Sequence, residues 1–338
     1  MVSFELERYK SGGDYFSETG QFKHGSESQG VKDLIEAEIQ TKSYKEVSST
    51  LERVSGTRLY SGNHVSEKVK DYAKQHTEDW INSYAGVQLS LVFGASDVDI
   101  YDKSSEETLL FDDAIGVNRQ KEERKSEYKK HFTRVQTEVI EVQRPNGTFE
   151  YITAGYGVKN WSLESALLCW LCATYGNRRL PIVALSDGAR EIRLRLWRVF
   201  GGQVIILLDW YHLHRKIWDF MSMLAKTKSD KEESAKKILG LLWIGLTQEA
   251  IIYICELEVR NEAKRKELVH YLTKHSAKII DYKRRKEAGK VIGTGRAEKG
   301  VDMVVAQRQK NKPIAWSENG SYALSTLRAK ALNTARAA

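Results

Sequence analysis

Residues 180–218 read LPIVALSDGAREIRLRLWRVFGGQVIILLDWYHLHRKIW, and no other stretch restricts the fold as much. Two short apolar runs, 182–185 and 204–208, each close on an aspartate, Asp187 and Asp209. Runs of this length bounded by turn residues fit strands covered on both faces, as in a largely parallel sheet. Between them, residues 189–200 set Ile192, Leu194, Leu196 and Val199 at helical spacing, and Gly201-Gly202 stops the helix. The unit is strand–helix–strand with both carboxylates at strand C-terminal ends, the edge where open α/β sheets collect ligands and catalytic groups. Two carboxylates brought together there repel, and a divalent cation or a shared proton relieves them. The plainer alternative is that each aspartate caps the helix that follows it.

Upstream, the spacing predicts strands over 87–93 and 108–117. A strongly alternating strand over 133–143, a turn at Arg144-Pro-Asn-Gly147, a return strand over 149–153 and an apolar helix over 161–175 follow. Three antiparallel strands followed by alternating helices and parallel strands is the order of an RNase H-like α/β fold. Asp112 and Asp113 lie inside the second strand, where alternation sends them to opposite faces, so one of them alone can reach a shared site. The run KEERKSEYKK at 121–130 reads as a solvated charged surface.

Residues 213–284 are helical and charged throughout. Asp209 and Glu298 stand far further apart than a crossover requires, so this block is expected to be a helical insertion with its own small core. Its charge-dense faces at 226–237 and 260–266 are expected to guide DNA or pair subunits; the plainer alternative is an amphipathic bundle that shields the sheet. A Gly-rich approach then meets a helix near Thr294 whose first turns carry Glu298, a position that also suits a helix dipole. Residues 319–338 are expected to form a basic, frayed tail.

Before the α/β region, Ser43-Tyr-Lys-Glu46 spells a capping box, with Val47, Leu51 and Val54 on one apolar stripe. After the break at Ser55-Gly56-Thr57, a second helix begins near Ser61 with Val65 and Val69 inward. Two helices joined by a Gly-containing turn match a helix-turn-helix, with Asn63, His64, Ser66, Lys68 and Lys70 on or beside the DNA-facing side. Any helical hairpin shows the same pattern. The expected organisation is an arm over 1–29, this helical region over 30–84, a core over 85–212 and 285–318, the insertion, and the tail.

Composition narrows the partners. A net charge of +8 with 53 Lys plus Arg suits a polyanion. No apolar run approaches a membrane span and the opening MVSFELERYK is charged from its start, so the expected location is cytoplasmic, nucleoid-associated on DNA. Three cysteines make no disulfide framework, and Cys169-Trp-Leu-Cys172 lies within an apolar helix, where buried thiols are the better reading than zinc.

Taken in order, SDGAR (186–190), LLDWYHLHRKIWDFMSM (207–223), IIDYKRR (279–285) and IGTGRAEKGVD (292–302) resemble bacterial insertion-sequence transposases of the ISKra type, relatives of the Mutator-like group with a DDE active site. The resemblance covers about residues 85–325. It implies that Asp113, Asp187 and Glu298 are the catalytic, metal-binding acids, with Asp113 matched through the phrase DDAIGVNRQK. Ala114 stands where the family has Gly, and Asp112 offers a second carboxylate beside it. Asp209-Trp-Tyr-His212 matches the family's acid-x-x-His signature, giving Asp209 and His212 a role in positioning the scissile phosphate or leaving strand. Arg190, His214, Arg215 and Lys216 extend a basic face suited to phosphate.

The chemistry asks for such a set. In-line attack on a phosphodiester builds charge on the entering and leaving oxygens, which two Mg2+ or Mn2+ ions about 4 Å apart accommodate. Magnesium takes oxygen ligands and keeps waters, so three carboxylates suffice. The reading is a DNA transposase, a homodimer on double-stranded transposon ends and target. Its alternatives are an RNase H-like nuclease without transposition and a transposase-derived DNA-binding protein that has lost catalysis.

Overall fold

The computed structural model describes residues 27–87, 92–93, 98–120, 134–176, 178–310 and 314–337. The arm at 1–26, most of the strand expected over 87–93 and the charge run at 121–130 lie outside the described residues. The chain divides into two compact units, Met1–Val69 and Lys70–Ala338.

In the first unit, α1 (Gln29–Glu38) is capped by Ser28, whose Oγ accepts the Val31 N–H. Helix α2 (Tyr44–Ser55) starts with the expected capping box, Glu46 accepting the Ser43 N–H at 2.6 Å. It ends at Gly56, whose φ of 72° is left-handed and favours glycine. Helix α3 (Gly62–Ser83) begins here and runs on past Val69. With neither Gly nor Pro inside it, the second helix and the link expected after it are one helix. Ile35, Ile39, Val47, Leu51, Val65 and Val69 are buried, whereas Val54, in the last turn of α2, is 68% exposed rather than inward.

The second unit is mixed α/β. Its sheet comprises β1 (Thr108–Asn118), β2 (Arg134–Gln143), β3 (Phe149–Ile152), β4 (Ile182–Ser186) and β5 (Ile205–Leu208), in the order β3-β2-β1-β4-β5. The pairs β1–β2 and β2–β3 are antiparallel; β1–β4 and β4–β5 are parallel. A two-residue parallel ladder joins Val92–Phe93 to Arg179–Leu180. Strand β4 is buried throughout because both faces are covered, which is why its apolar run does not alternate. Leu110, Ile182 and Ala184 pack with α4 (Leu163–Tyr175) and α5 (Arg190–Phe200). Leu109, Phe111, Val183 and Leu185 belong to the opposite core. Along β1, Asp113 therefore continues the row of Leu109 and Phe111, and Asp112 continues that of Leu110.

Between β5 and α11 (Gly295–Val301) lie α6 (Trp210–Leu224), α7 (Lys228–Trp243), α8 (Thr247–Glu256), α9 (Glu262–His275) and α10 (Tyr282–Glu287). These helices do not have a separate core. Leu213 and Ile217 of α6 and Leu268 and Leu272 of α9 share one cluster with Phe111, Val183 and Leu185 of the sheet. The approach to α11 is pinned by Arg285, fully buried, which bonds Glu107 at 2.7 Å and the carbonyls of Ile100 and Val291. Such a buried cation holds its place only because each donor is met.

Helix α11 runs on through a π-helical turn, Asp302–Ala306, into Gln307–Gln309. The tail is not frayed: α12 (Glu318–Ala337) buries Ser321, Ala323, Leu324, Ser325 and Leu327. Small residues let it approach the sheet closely, and Ser321 Oγ lies 3.2 Å from Thr137 Oγ1 of β2. Asn333 accepts the Tyr151 N–H and donates to the Tyr151 carbonyl, both at 2.9 Å, occupying the edge of β3 as another strand would.

Candidate active site

The two adjacent aspartates of β1 separate as alternation requires. Asp112 is buried under α5, where Arg195 Nη1 donates to both its oxygens at 2.7 Å, and Arg195 also pairs with Glu138. Burial pushes the Asp112 carboxyl up to about 7 against the pull of Arg195. Asp113 lies on the other face, half-buried, with one oxygen accepting the Ala114 N–H at 2.7 Å. Burial raises its carboxyl too, and Asp187 and Glu298 raise it further, while Ala114 N–H and His212 oppose them. Asp113 thus shares an electrostatic neighbourhood with both other predicted acids, and Asp112 serves the interior.

Asp187 follows the last residue of β4, and its Oδ1 accepts the Ala189 N–H at 2.8 Å. The N-cap of α5 is Ala189, so Asp187 holds the turn without capping the helix. Gly188, at φ 86°, passes so near the α9 end that a Cβ would stand 2.9 Å from His275 Cε1 and from Leu208 Cδ1. Only glycine fits that conformation at that approach.

Asp209 is the N-cap of α6, as the plainer reading had it, and it does more. Its Oδ1 accepts the N–H groups of Tyr211 at 2.5 Å and His212 at 3.1 Å. Its Oδ2 accepts the Thr294 N–H at 2.6 Å and the Thr294 hydroxyl, with His212 Nδ1 at 3.3 Å. The Asp209 N–H donates to Ser186 at 2.9 Å, and the Trp210 N–H to Ile292 at 3.1 Å. One carboxylate therefore ties the end of β5 and the start of α6 to the start of α11, the helix that carries Glu298. Burial alone would raise Asp209, but the bonds from His212 and Thr294 outweigh it and hold the carboxyl below its ordinary range. With its oxygens committed, Asp209 has the geometry of a positioning group.

His212 faces two carboxylates. Nδ1 lies toward Asp209, and Nε2 is 3.7 Å from Glu298 Oε1. The bond to Asp209 raises its pKa above the usual histidine value, against burial and the nearby Arg215, with Asp187 adding to the rise. Glu298, in the first turn of α11, is exposed, so its carboxylate is free to turn about its rotamers. Gly293 lies just before it. A Cβ there would stand 2.4 Å from the Tyr211 ring, and Tyr211 itself is 61% exposed.

Sequence reasoning did not anticipate Thr294, Tyr271 or His275 here. Burial pushes the Tyr271 phenol up to about 12, with Asp187 and Asp209 adding to it. Its ring lies 4.7 Å from that of His275. The IGTG spelling could have exposed Thr294, because a hydroxyl residue before a short helix is an N-terminal signal. Nothing local marks Tyr271, which arrives from α9.

The expected DNA-contacting residues fare unevenly. Arg190 opens α5 and is exposed, as are Arg215 and Lys216 on α6. Lys216 Nζ stands 4.8 Å over the Tyr271 ring. His214 faces Trp210 and Trp218, accepting from the indole of the latter at 3.4 Å. In the first unit, Asn63 and His64 are exposed on the opening turn of α3. Lys68 is instead turned back toward Glu27 at 3.7 Å and the Tyr60 ring at 5.6 Å, because an acid and an aromatic face compete for it.

Among the described residues, no three His, Cys, Asp or Glu side chains stand together at metal-holding distance. Cys169 is half-buried, Cys172 buried and Cys255 exposed. Among the described residues no helix is long and apolar enough to cross a membrane. Asp113 is raised first by burial and then by the like-charged Asp187 and Glu298, a repulsion that a hard divalent cation would relieve.

No protein-family model matches the sequence, and no curated protein matches it. Among solved structures, the chain is similar to that of a Drosophila P element transposase strand transfer complex, at 12% identity and a TM-score of 0.25, with 95% of this chain and 84% of that chain covered.

Proposed function

We propose that this chain is a DNA transposase of the ISKra type, with an RNase H-like core that cuts and joins DNA strands at a metal-dependent DDE site. The observation that carries the reading is the electrostatic neighbourhood of Asp113 on β1, Asp187 after β4 and Glu298 on α11, with His212 beside them. Asp113, Asp187 and Glu298 would hold Mg2+ or Mn2+, Glu298 turning inward from its exposed position to complete the set. Bound there, the cations supply activation of the attacking oxygen and stabilisation of charge on the leaving one.

The chain's own groups do the rest. Asp209 orients the His212 imidazole and favours its protonated form, whose Nε2–H can meet Glu298 or a phosphate oxygen. In cleavage, a water oxygen attacks phosphorus and the bond to the 3′-oxygen breaks, leaving a 3′-hydroxyl. In strand transfer, that hydroxyl attacks a target phosphodiester and releases a target 3′-oxygen. Arg190, Arg215 and Lys216 neutralise backbone phosphates, and Asn63 and His64 are the exposed candidates for base contact at a transposon end.

A transposase-derived binder without catalysis is favoured by one observation, the absence of a closed metal-holding group among the described residues. Nicking of labelled transposon-end DNA with Mg2+ or Mn2+ separates the two. The transposase reading expects cutting that chelator abolishes and that Asp187→Asn and Glu298→Gln remove while binding persists. A wild-type protein that binds the ends and never cuts them would establish the binder instead.

A further inference from the structure

On the charge-dense helical faces that the sequence points to, three of the cations are held by acids close by. Lys226 pairs with Glu258 at 2.7 Å, Lys264 with Glu267 at 2.6 Å and Arg265 with Glu262 at 2.7 Å. A second set of cations gathers from separate segments near the Gly188 turn. Arg193 comes from α5, Lys216 from α6, Lys274 from the last turn of α9, and Lys278 from the 3-10 turn Ser276–Lys278 that follows. None of the four has an ion-pair partner among the described residues.

Their common centre is His275. Its ring is 97% buried against the Gly188 turn, one residue past Asp187, and its Nδ1 is buried without a hydrogen-bond partner. Burial first, and then all four cations, Lys278 and Lys274 more than Arg193 and Lys216, push it down to about 4. Lys278 is itself lowered by burial, Arg193 and Lys274. Tyr271 spans the gap to the acids: its ring packs on His275 and carries Lys216 on its face, while its phenol lies within the field of Asp187 and Asp209. Four like charges brought together from three separate segments, none ion-paired among the described residues, cost stability unless an anion completes them.

We propose that Arg193, Lys216, Lys274 and Lys278, arranged around His275, form a binding site for backbone phosphate of the DNA strand that leaves the carboxylate site past Gly188. The inference rests on the reading of the carboxylates as a strand-cutting site. It adds the direction of the strand, from Asp113 and Asp187 across the Gly188 turn toward the end of α9. Buried among the four cations, the His275 ring adds no charge of its own at ordinary pH and reports an anion held beside it. Because the contacts are to phosphate, they are independent of base sequence.

The test uses the full chain, short duplex DNA of arbitrary sequence and a chelator, so that no cutting is needed. Binding is followed by fluorescence anisotropy across a salt series. Each phosphate contact removed lowers the slope of log affinity against log salt by about 0.9. Lys274→Gln/Lys278→Gln should lower it by about 1 to 2, with circular dichroism and urea unfolding unchanged or improved. Lys226→Gln, whose lysine is already paired, should leave it unaltered. In parallel, the His275 ring resonances should move on adding the duplex in wild type and stay still in the double variant. Unchanged slope and an unmoved His275 signal would overturn the site, even if the wild-type protein nicks DNA. The expected slope change with a wild-type protein that never nicks would keep the phosphate site and sink the catalytic reading instead.

Discussion

Asp209→Asn is the sharpest perturbation of the site, because it turns a buried acceptor into a donor and leaves volume unchanged. An asparagine can offer its oxygen to the Tyr211 and His212 N–H groups or to Thr294, but not to both. Thr294 is 3% exposed, so a backbone N–H left facing an amide NH2 there has no water to turn to. One unsatisfied donor costs about 1–3 kcal/mol, and the remaining bonds lose their charge, for a total near 2–4 kcal/mol. Asp209→Ala also removes the α6 cap and should cost about 1 kcal/mol more. Thr294→Ala loses the hydroxyl alone, about 1 kcal/mol. The pH dependence has a definite sign. His212 is raised by its bond to Asp209, so its contribution is complete below its unfolded value of about 6.5 and disappears as pH rises through the raised folded value. Urea unfolding followed by tryptophan fluorescence should therefore show a larger Asp209→Asn penalty at about pH 5.5 than at about pH 8.5. A penalty below about 0.5 kcal/mol, or one equal at both pH values, would refute Asp209 as the tie between β5, α6 and α11.

Asp113→Asn should raise the melting temperature in chelator at neutral pH, because a carboxyl raised by the fold costs stability above its unfolded value of about 3.9. The same variant should lose the further rise that Mg2+ gives the wild type, whereas Asp112→Asn, on the Arg195 side of the strand, should keep the metal response. Identical behaviour of the two would count against their separation across the sheet. Asn63→Ala should reduce discrimination between transposon-end and scrambled duplex by roughly fivefold to a hundredfold in competition binding, the range of one lost base contact; full discrimination would remove α3 as the base-contacting element.

The parts legible in the sequence are those set by local pattern. Apolar runs ending in aspartate locate β4 and β5, alternation locates β2, and the Ser43/Glu46 box locates α2. Alternation also requires Asp112 and Asp113 to part, but which faces the acids depends on Arg195, more than eighty positions away, coming to lie under one of them. The tail reads as a weak basic helix because its Ser and Ala residues carry little hydrophobic signal. On the folded protein that smallness is what lets α12 lie close to the sheet. The helices after β5 look self-contained by spacing, yet their apolar stripes share the sheet's core, which no periodicity reveals. Tyr271 comes into the field of Asp187, and His275 against the Gly188 turn, only through that shared core.

The central claim is that Asp113, Asp187 and Glu298 form one cation-holding site, and an anomalous difference map from crystals soaked in Mn2+ tests it most directly. The account predicts density among these three carboxylates, with Glu298 turned inward, Asp209 still bonded to Thr294, and the density gone in Asp187→Asn crystals. Mn2+ bound by Asp209 instead, or no density among the three acids at a concentration that supports cutting, would contradict it.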